Sequence, residues 1–568
     1  MNFRVLFRGF ALVIVLNVGY NGMAQSTYRI YFKDKARAEY NPYAYLHPKA
    51  IERRILNQID LCDSSDFPVN QSYITTLSKY CDTIKGLSRW MNMMVVNASE
   101  TNIQAIRQFS FVSHIEAVEN KYISSLCQTK QPISFDTTLT KNQIQLLASQ
   151  LDRMNVNQLN ANHLNGHGIT IAIIDAGFKY VDSNPAFNHI RQRNGIVDTY
   201  DFVKKQKNIN SGMTHGSYVF SCLGGQIGNL QLGLATGAEF LLARTEGNTE
   251  KFIEEEYWLM AAEWADKNGA DIINSSLGYT YQRYMPENMD GKSTFVSKAA
   301  QLAVDKGILV ICSAGNEGIS TWKKITAPGD AKGVLTVGGI SPYTGIHSSF
   351  SSFGPSYDKR LKPEVCAYST TVVSGHNGFS IVEGTSFSAP IVAGFAACIK
   401  QRYPNLKNAE VKELICRSAD MWPYYDYAHG YGVPQPYFLH KDTLENIPTL
   451  SIFEDKFDIT LYPIEWDSTL KRTSQIKKIE PRYKFANDTV IDEIGQVKKT
   501  KTNPFFTAVP DYLFYHIKNK KGYIDKYYVM DLKDKKNGSL IISKSISEKP
   551  FSIEFYYKGY YQELFIKE

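Results

Sequence analysis

The chain has no CxxC pair: its eight cysteines, Cys62, Cys81, Cys127, Cys222, Cys312, Cys366, Cys398 and Cys416, all stand far apart. The ligand spacing of a zinc ribbon or a thioredoxin-type redox centre is therefore missing. Beyond residue 24 there is no apolar run long enough to span a bilayer, so no transmembrane segment is expected after processing. Excess charge is scarce. A formal net charge of +7 over 568 residues makes no nucleic-acid footprint, and nucleic acid is not an expected partner. Nor is there a compact run of Asp and Asn at calcium-loop spacing. Glu287–Gly291 and the acids Asp198 and Asp201 read as solvated loop groups, and 518–521 as a solvated turn.

What is present begins with Arg4 and Arg8, an apolar run over 10–18 and small residues up to Ala24. This is the layout of a signal peptide over residues 1–24, and it predicts an exported protein, whether extracellular, cell-surface or periplasmic. Export permits disulfides, with Cys62–Cys81 the first local candidate; Cys222, Cys312 and Cys398 lie in apolar segments that suit buried free thiols.

A chain of this length exceeds one domain, and its pattern changes several times. Residues 25–127 read as a small α+β unit, with strands at Tyr28–Phe32, Met93–Asn97 and Val118–Ile123 and helices at Pro48–Leu56 and Gln71–Lys79. Residues 128–154 are polar, lack a firm period and read as a linker. A small leading domain plus a linker on an exported chain suggests a removable propeptide, the alternative being a permanent N-terminal domain.

Over 155–447 strands alternate with helices. Ile169–Asp175 is an almost continuous β-branched run, as a strand buried on both faces requires. Glu239–Ala243, Asp271–Ser275, Ile308–Ser313 and Val334–Gly338 continue the strands, with helices near Ile253–Lys267 and Thr294–Lys306 between them. Such repeats predict a parallel sheet with helices on its faces and a site at the carboxyl ends of the strands. Asp175 ends the first strand, Asn274–Gly278 ends the third and 315–318 follows the fourth. His215 falls in the first turn of an apolar helix. Ser386 follows Gly384 and Thr385 at the start of another, with Pro390 accommodated in its first turn. Gly-Thr-Ser before a helix is also an ordinary cap, and a lone histidine in a helix is more often structural. An aspartate, a histidine and a serine, each beside glycine at an element boundary, are harder to explain separately.

Ile173-Ile-Asp175-Ala-Gly, His215-Gly-Ser-Tyr-Val, Ser313-Ala-Gly-Asn316-Glu-Gly and Gly384-Thr-Ser386-Phe-Ser-Ala-Pro390 stand in that order, and together they resemble the subtilisin-like serine peptidases over roughly Asn155 to Pro434. The resemblance implies that Ser386 attacks a peptide carbonyl, that His215 is its general base and that Asp175 orients the imidazole; this mechanism is the family's established one. It implies Asn316 as an oxyanion donor, Ser276, Leu277 and Gly278 as a strand edge for substrate backbone, and Ala314 and Gly315 as a pocket wall. Ala176 and Ser217-Tyr218 depart from the commonest spelling without removing a catalytic group.

The fold class that follows is α/β, a parallel-sheet subtilisin-like catalytic domain flanked by a small α+β prodomain-like region and a C-terminal all-β module over 448–568. That module is read from short strands such as Phe457–Tyr462, Tyr523–Met530, Ser539–Ser543 and Phe551–Tyr557. Polypeptides are the expected substrates, and the chain's own prodomain is the expected intramolecular inhibitor. No cofactor is expected; structural calcium, frequent in the family, is not assignable. The competing class is a catalytically silent subtilisin-like binding or adhesion protein, and the retained Asp175, His215, Ser386 and Asn316 argue against it.

Overall fold

The computed structural model describes residues 26–36, 38–118, 139–247, 253–280, 283–436, 450–454, 458–463, 490–491, 497–498, 512–532 and 540–567. The signal-peptide segment, Cys127 and most of the expected Val118–Ile123 strand lie outside these.

The central sheet has seven parallel strands in the order Val365–Tyr368, Leu335–Ile340, Leu309–Ser313, Ile272–Ser275, Thr170–Asp175, Glu239–Arg244, Ile196–Asp201. Thr170–Asp175 is buried at every position, which explains its unbroken apolar spelling. The strands Ile196–Asp201 and Val365–Tyr368 carried no comparable signal. Ile196–Asp201 is the half-exposed edge and reads polar, while Val365–Tyr368 has only four residues. The helices Glu254–Lys267 and Phe295–Asp305 cover one face; His215–Gly224 and the long Thr385–Arg402 helix pack into the core on the other.

Residues 141–152, within the expected linker, instead form a helix that opens on a Thr140–Gln143 capping box. Leu146, Leu147 and Leu151 line one side of it and join the core of the parallel-sheet domain. Its many Gln, Asn and Ser residues mask this narrow stripe.

The N-terminal unit is an antiparallel sheet ordered Thr83–Ser88, Met93–Ala98, Ser26–Phe32, Val112–Val118, with the helices Pro48–Leu56, Gln71–Leu77 and Glu100–Ile106. It lies against Glu254–Lys267 and Phe295–Asp305, so that Trp90, Met93 and Val95 share one core with Trp258, Leu259 and Ala299. Charges are buried at this junction. Arg54 reaches Asp66 and, at 2.6 Å, Asp266, while Lys306 meets Asp66 at 2.9 Å. Arg29 pairs with Glu256 and lies 3.9 Å from the centre of the Phe295 ring. Glu263 accepts from Ser88 Oγ and from the Arg89 and Trp90 amides.

The C-terminal module is all antiparallel: a four-stranded sheet, Ile524–Asp531, Tyr512–Lys518, Phe551–Tyr557, Tyr560–Ile566, faces a three-stranded one, Leu450–Glu454, Asp458–Pro463, Leu540–Ser543, across a shared core. Met421 and Tyr424 pack on Phe514 and Tyr556, and Tyr556 Oη donates to the Asp420 carbonyl, 2.5 Å. The module is thus seated on the end of the parallel-sheet domain. The turn at 519–522 is closed by Asn519 and is largely exposed, while Lys518 at its start is partly exposed and pairs with Glu554.

No disulfide joins the described cysteines. Cys62 and Cys81 are both free thiols, which corrects the expected pair; Cys81 Sγ instead donates to the Leu77 carbonyl, 3.1 Å. Among the described residues no helix is long and apolar enough to cross a membrane.

Candidate active site

Asp175 closes the Thr170–Asp175 strand and is fully buried. Its Oδ1 accepts from the Ala176 amide and from His215 Nδ1, both at 2.7 Å. A carboxylate there requires the proton on Nδ1 and leaves Nε2 as the basic nitrogen of the neutral ring. His215 opens its helix and keeps 29% of its side chain exposed. Burial disfavours the imidazolium, but the Asp175 charge and hydrogen bond outweigh it and hold the His215 pKa above the ordinary 6.5.

The serine helix starts at Thr385, after Gly384 at φ +148°. A side chain at 384 would be strained there, and its Cβ would lie 3.4 Å from Asn316 Nδ2. Because the helix begins at Thr385, Pro390 is its sixth residue and not in the first turn. Proline has no N–H to return to the carbonyl four residues back, so the Ser386 carbonyl is released from the helical ladder. Ser276 Oγ takes it, donating at 2.7 Å. Ser386 Oγ in turn donates to the Ser276 carbonyl, 3.2 Å. No hydrogen bond joins Ser386 to His215, and reaching the imidazole requires the hydroxyl to turn away from Ser276. Phe387 brings its ring to 5.7 Å from that of His215.

Asn316 Oδ1 accepts from the Thr385 amide at 2.9 Å and from Thr385 Oγ1 at 3.0 Å. With the acceptor end held by the serine helix, Nδ2 is the end left to face the Gly384 turn. The Thr385 hydroxyl also accepts from the Gly315 amide at 3.2 Å, tying the Ala314-Gly315 segment to the same helix. Ala314 is buried, and Gly315 sits at φ +102°. Ser276, Leu277 and Gly278 follow the Ile272–Ser275 strand. Leu277 and Gly278 make no backbone hydrogen bond, although the next residue, Tyr279, pairs with Ala327. They form an open edge of the kind an extended peptide can extend.

The residues singled out by sequence are thus gathered at the carboxyl ends of the strands. Thr385 and Pro390 stood inside the quoted block, but their work on Asn316 and Ser276 depends on partners roughly 70 to 115 residues away and has no local signature. Asp198 is engaged by Lys207 and the Thr199 amide, and Asp290 by Lys292, Ser293 and their turn. Asp201, expected in solvent, is fully buried and paired with Arg244. Among the described residues no three His, Cys, Asp or Glu side chains converge as for a metal.

Fold and site together define a class: a parallel-sheet protein whose strand ends collect an aspartate–histidine pair and a serine at a helix start, in the chain order Asp, His, Ser. Residues 166–441 match the family model described as the subtilase family, and residues 27–133 the one described as a Peptidase S8 propeptide domain, Bacteroidota. Through the first of these the parallel-sheet domain is similar to the subtilase family. The serine protease AprX of Bacillus subtilis (strain 168) is 28% identical over 294 residues, covering 46% of this chain and 64% of that protein. Subtilisin E from the same strain is 30% identical over 256 residues, covering 44% and 60%. The chain thus spans less than two thirds of the length of either relative. A solved structure of the serine protease MycP1 shares 26% identity at a TM-score of 0.42, covering 54% of this chain and 92% of that one.

Proposed function

We propose that the protein is an exported serine endopeptidase that cuts polypeptides through Ser386, His215 and Asp175. The observation that carries the reading is the 2.7 Å Asp175–His215 hydrogen bond, set beside a serine on the first turn of a helix. Ser386 Oγ, turned from Ser276 toward Nε2, passes its proton to His215 as it attacks the substrate carbonyl carbon. The C–N bond breaks when the imidazolium returns that proton to the leaving amine, and water then hydrolyses the acyl-enzyme by the same route. Asp175 keeps the imidazole in the Nδ1–H tautomer and offsets its charge. Asn316 Nδ2 and the Ser386 amide are the donors for the oxyanion. The Leu277-Gly278 edge is the candidate site for the substrate backbone, and Ala314-Gly315 for a pocket wall.

The N-terminal domain is, on this reading, a propeptide that holds the enzyme inactive until the chain is cut after it. Its match to a propeptide family and its seat on the Glu254–Lys267 and Phe295–Asp305 helices support that role. The leader over 1–24 supports export. The open Leu277-Gly278 edge and the complete Asp, His, Ser and Asn set favour this reading over a silent binding protein.

An active-site serine probe is the direct test. The full chain, expressed and allowed to process itself, should label at Ser386 and cleave an unfolded polypeptide, and Ser386→Ala should do neither. A folded wild-type protein, freed of its first domain, that shows neither Ser386-dependent labelling nor cleavage refutes the peptidase assignment.

A further inference from the structure

Arg244 ends its strand in register with Asp175 on one side and Asp201 on the other. All three are buried, at 3%, 0% and 0% exposure for Arg244, Asp175 and Asp201. A guanidinium does not give up its proton, so a buried one must be paired and its donors spent on specific acceptors. Arg244 Nη1 donates to Asp201 Oδ2 at 2.9 Å and to Ser211 Oγ at 3.2 Å, while Ser211 Oγ donates to the same Asp201 oxygen at 2.8 Å. Arg244 Nε donates to the Ala176 carbonyl, 3.3 Å. Ala176 is the residue whose amide holds Asp175 Oδ1.

Ser211 and Gly212 belong to the segment that enters the histidine helix. Gly212, at φ +76°, is pressed against the arginine: a Cβ there would fall 2.4 Å from Arg244 Nε and 2.8 Å from the Ala176 oxygen. Gly212 also bridges antiparallel to Gly177. One side chain therefore contacts both segments that deliver the Asp175–His215 pair. Asp201 neutralises it, so it clamps the turn without competing as a cation for Asp175. The clamp matters because Asp175 Oδ2 is buried without a hydrogen bond, and the imidazole is aimed by Oδ1 alone.

We propose that Arg244 is a positioning residue that fixes the Asp175 turn against the segment leading into His215 and thereby sets their 2.7 Å hydrogen bond. Its consequence for turnover rests on the peptidase reading; its consequence for the hydrogen bond does not.

The test uses the full-length chain labelled with ¹⁵N-histidine, with the His215 ring assigned by its loss in His215→Gln. That ring faces the Asp175 carboxylate and the Phe387 ring. Arg244→Met keeps an apolar stem and removes every donor. It should lower the His215 titration midpoint by about one pH unit and kcat by roughly 10- to 100-fold, the scale of a misplacement of about 1 Å, with KM within about twofold. Arg244→Lys, able to meet Asp201 but not the Ala176 carbonyl at the same time, should fall between the two. A folded Arg244→Met with the wild-type titration and kcat overturns the proposal. Should Arg244→Met fail to fold, Ser211→Ala removes only the hydroxyl that bridges Arg244 and Asp201 and leaves the Arg244–Asp201 pair, so it must move the midpoint in the same direction by less; no movement overturns the proposal equally. A wild type without Ser386-dependent turnover whose His215 titration still shifts in Arg244→Met sinks the peptidase reading and sustains the positioning role.

Discussion

Replacing Ser276 by alanine isolates the link between a helix-interior proline and the serine beside it. Pro390 cannot return an N–H to the Ser386 carbonyl, and Ser276 Oγ supplies that bond at 2.7 Å. In Ser276→Ala the carbonyl is left buried and unpaired, a loss of about 1–3 kcal/mol. In a Pro390→Ala background the new amide at 390 closes the ordinary helical bond to the same carbonyl, so removing the Ser276 hydroxyl should then cost less than half as much. The bond from Asn274 Nδ2 to Ser276 Oγ, 3.3 Å, is lost in both backgrounds and cancels. The assay is thermal unfolding of the four chains of this cycle, each also carrying Ser386→Ala to prevent self-digestion. At about 2–4 °C per kcal/mol for a domain of this size, Ser276→Ala should lower the peptidase-domain Tm by roughly 2–12 °C with Pro390 present. An equal loss with and without Pro390 would show that the carbonyl does not depend on Ser276, and the reasoning would fail.

Other consequences can be checked separately. Asn316→Ala should reduce kcat by about 10²–10³ with Ser386 labelling retained, a magnitude established on a subtilisin and not worked out from this chain; an unchanged kcat removes Asn316 from the oxyanion site. His215 must be neutral to act as base and its pKa is raised, so kcat/KM should rise with pH through an apparent value above 6.5, and Asp175→Asn should move what activity is left toward lower pH. Burial pushes the Glu263 carboxyl from 4.5 up to about 7, against the bonds from Ser88, Arg89 and Trp90 that favour its charged form. The docked state therefore holds a proton on Glu263 that the released state gives up. The hold on the N-terminal domain should be strongest below pH 4.5 and weaken, by up to about tenfold per unit, as pH rises toward 7. Retention of the cleaved domain on a sizing column measures this, and a Glu263→Gln profile as steep as wild type would contradict it.

The strand ending in Asp175 was legible because burial on both faces forces an apolar spelling, and the acid and Gly177 that follow mark its end. The serine turn was legible as well, since Gly384-Thr385-Ser386 must be small where Asn316 approaches. The strand at 196–201 was not, because an edge strand need be apolar on only part of its surface. The 141–152 helix hid for a similar reason, its three buried leucines being set among polar residues, two of which, Ser149 and Gln150, are themselves buried. Cys62 and Cys81 looked like partners by proximity in sequence, which says nothing of where their thiols point.

The sequence by itself determined the order of elements, the parallel-sheet class and the identity of the groups at the strand ends, because periodicity, turn residues and helix starts are written within a few positions of one another. Only the tertiary structure decided that Pro390 hands the Ser386 carbonyl to Ser276, that Thr385 orients Asn316 and that Asp201 is buried against Arg244. Each of these is a hydrogen bond between segments distant in sequence. What makes it necessary, the cost of an unpaired polar group, arises only once folding has removed the water.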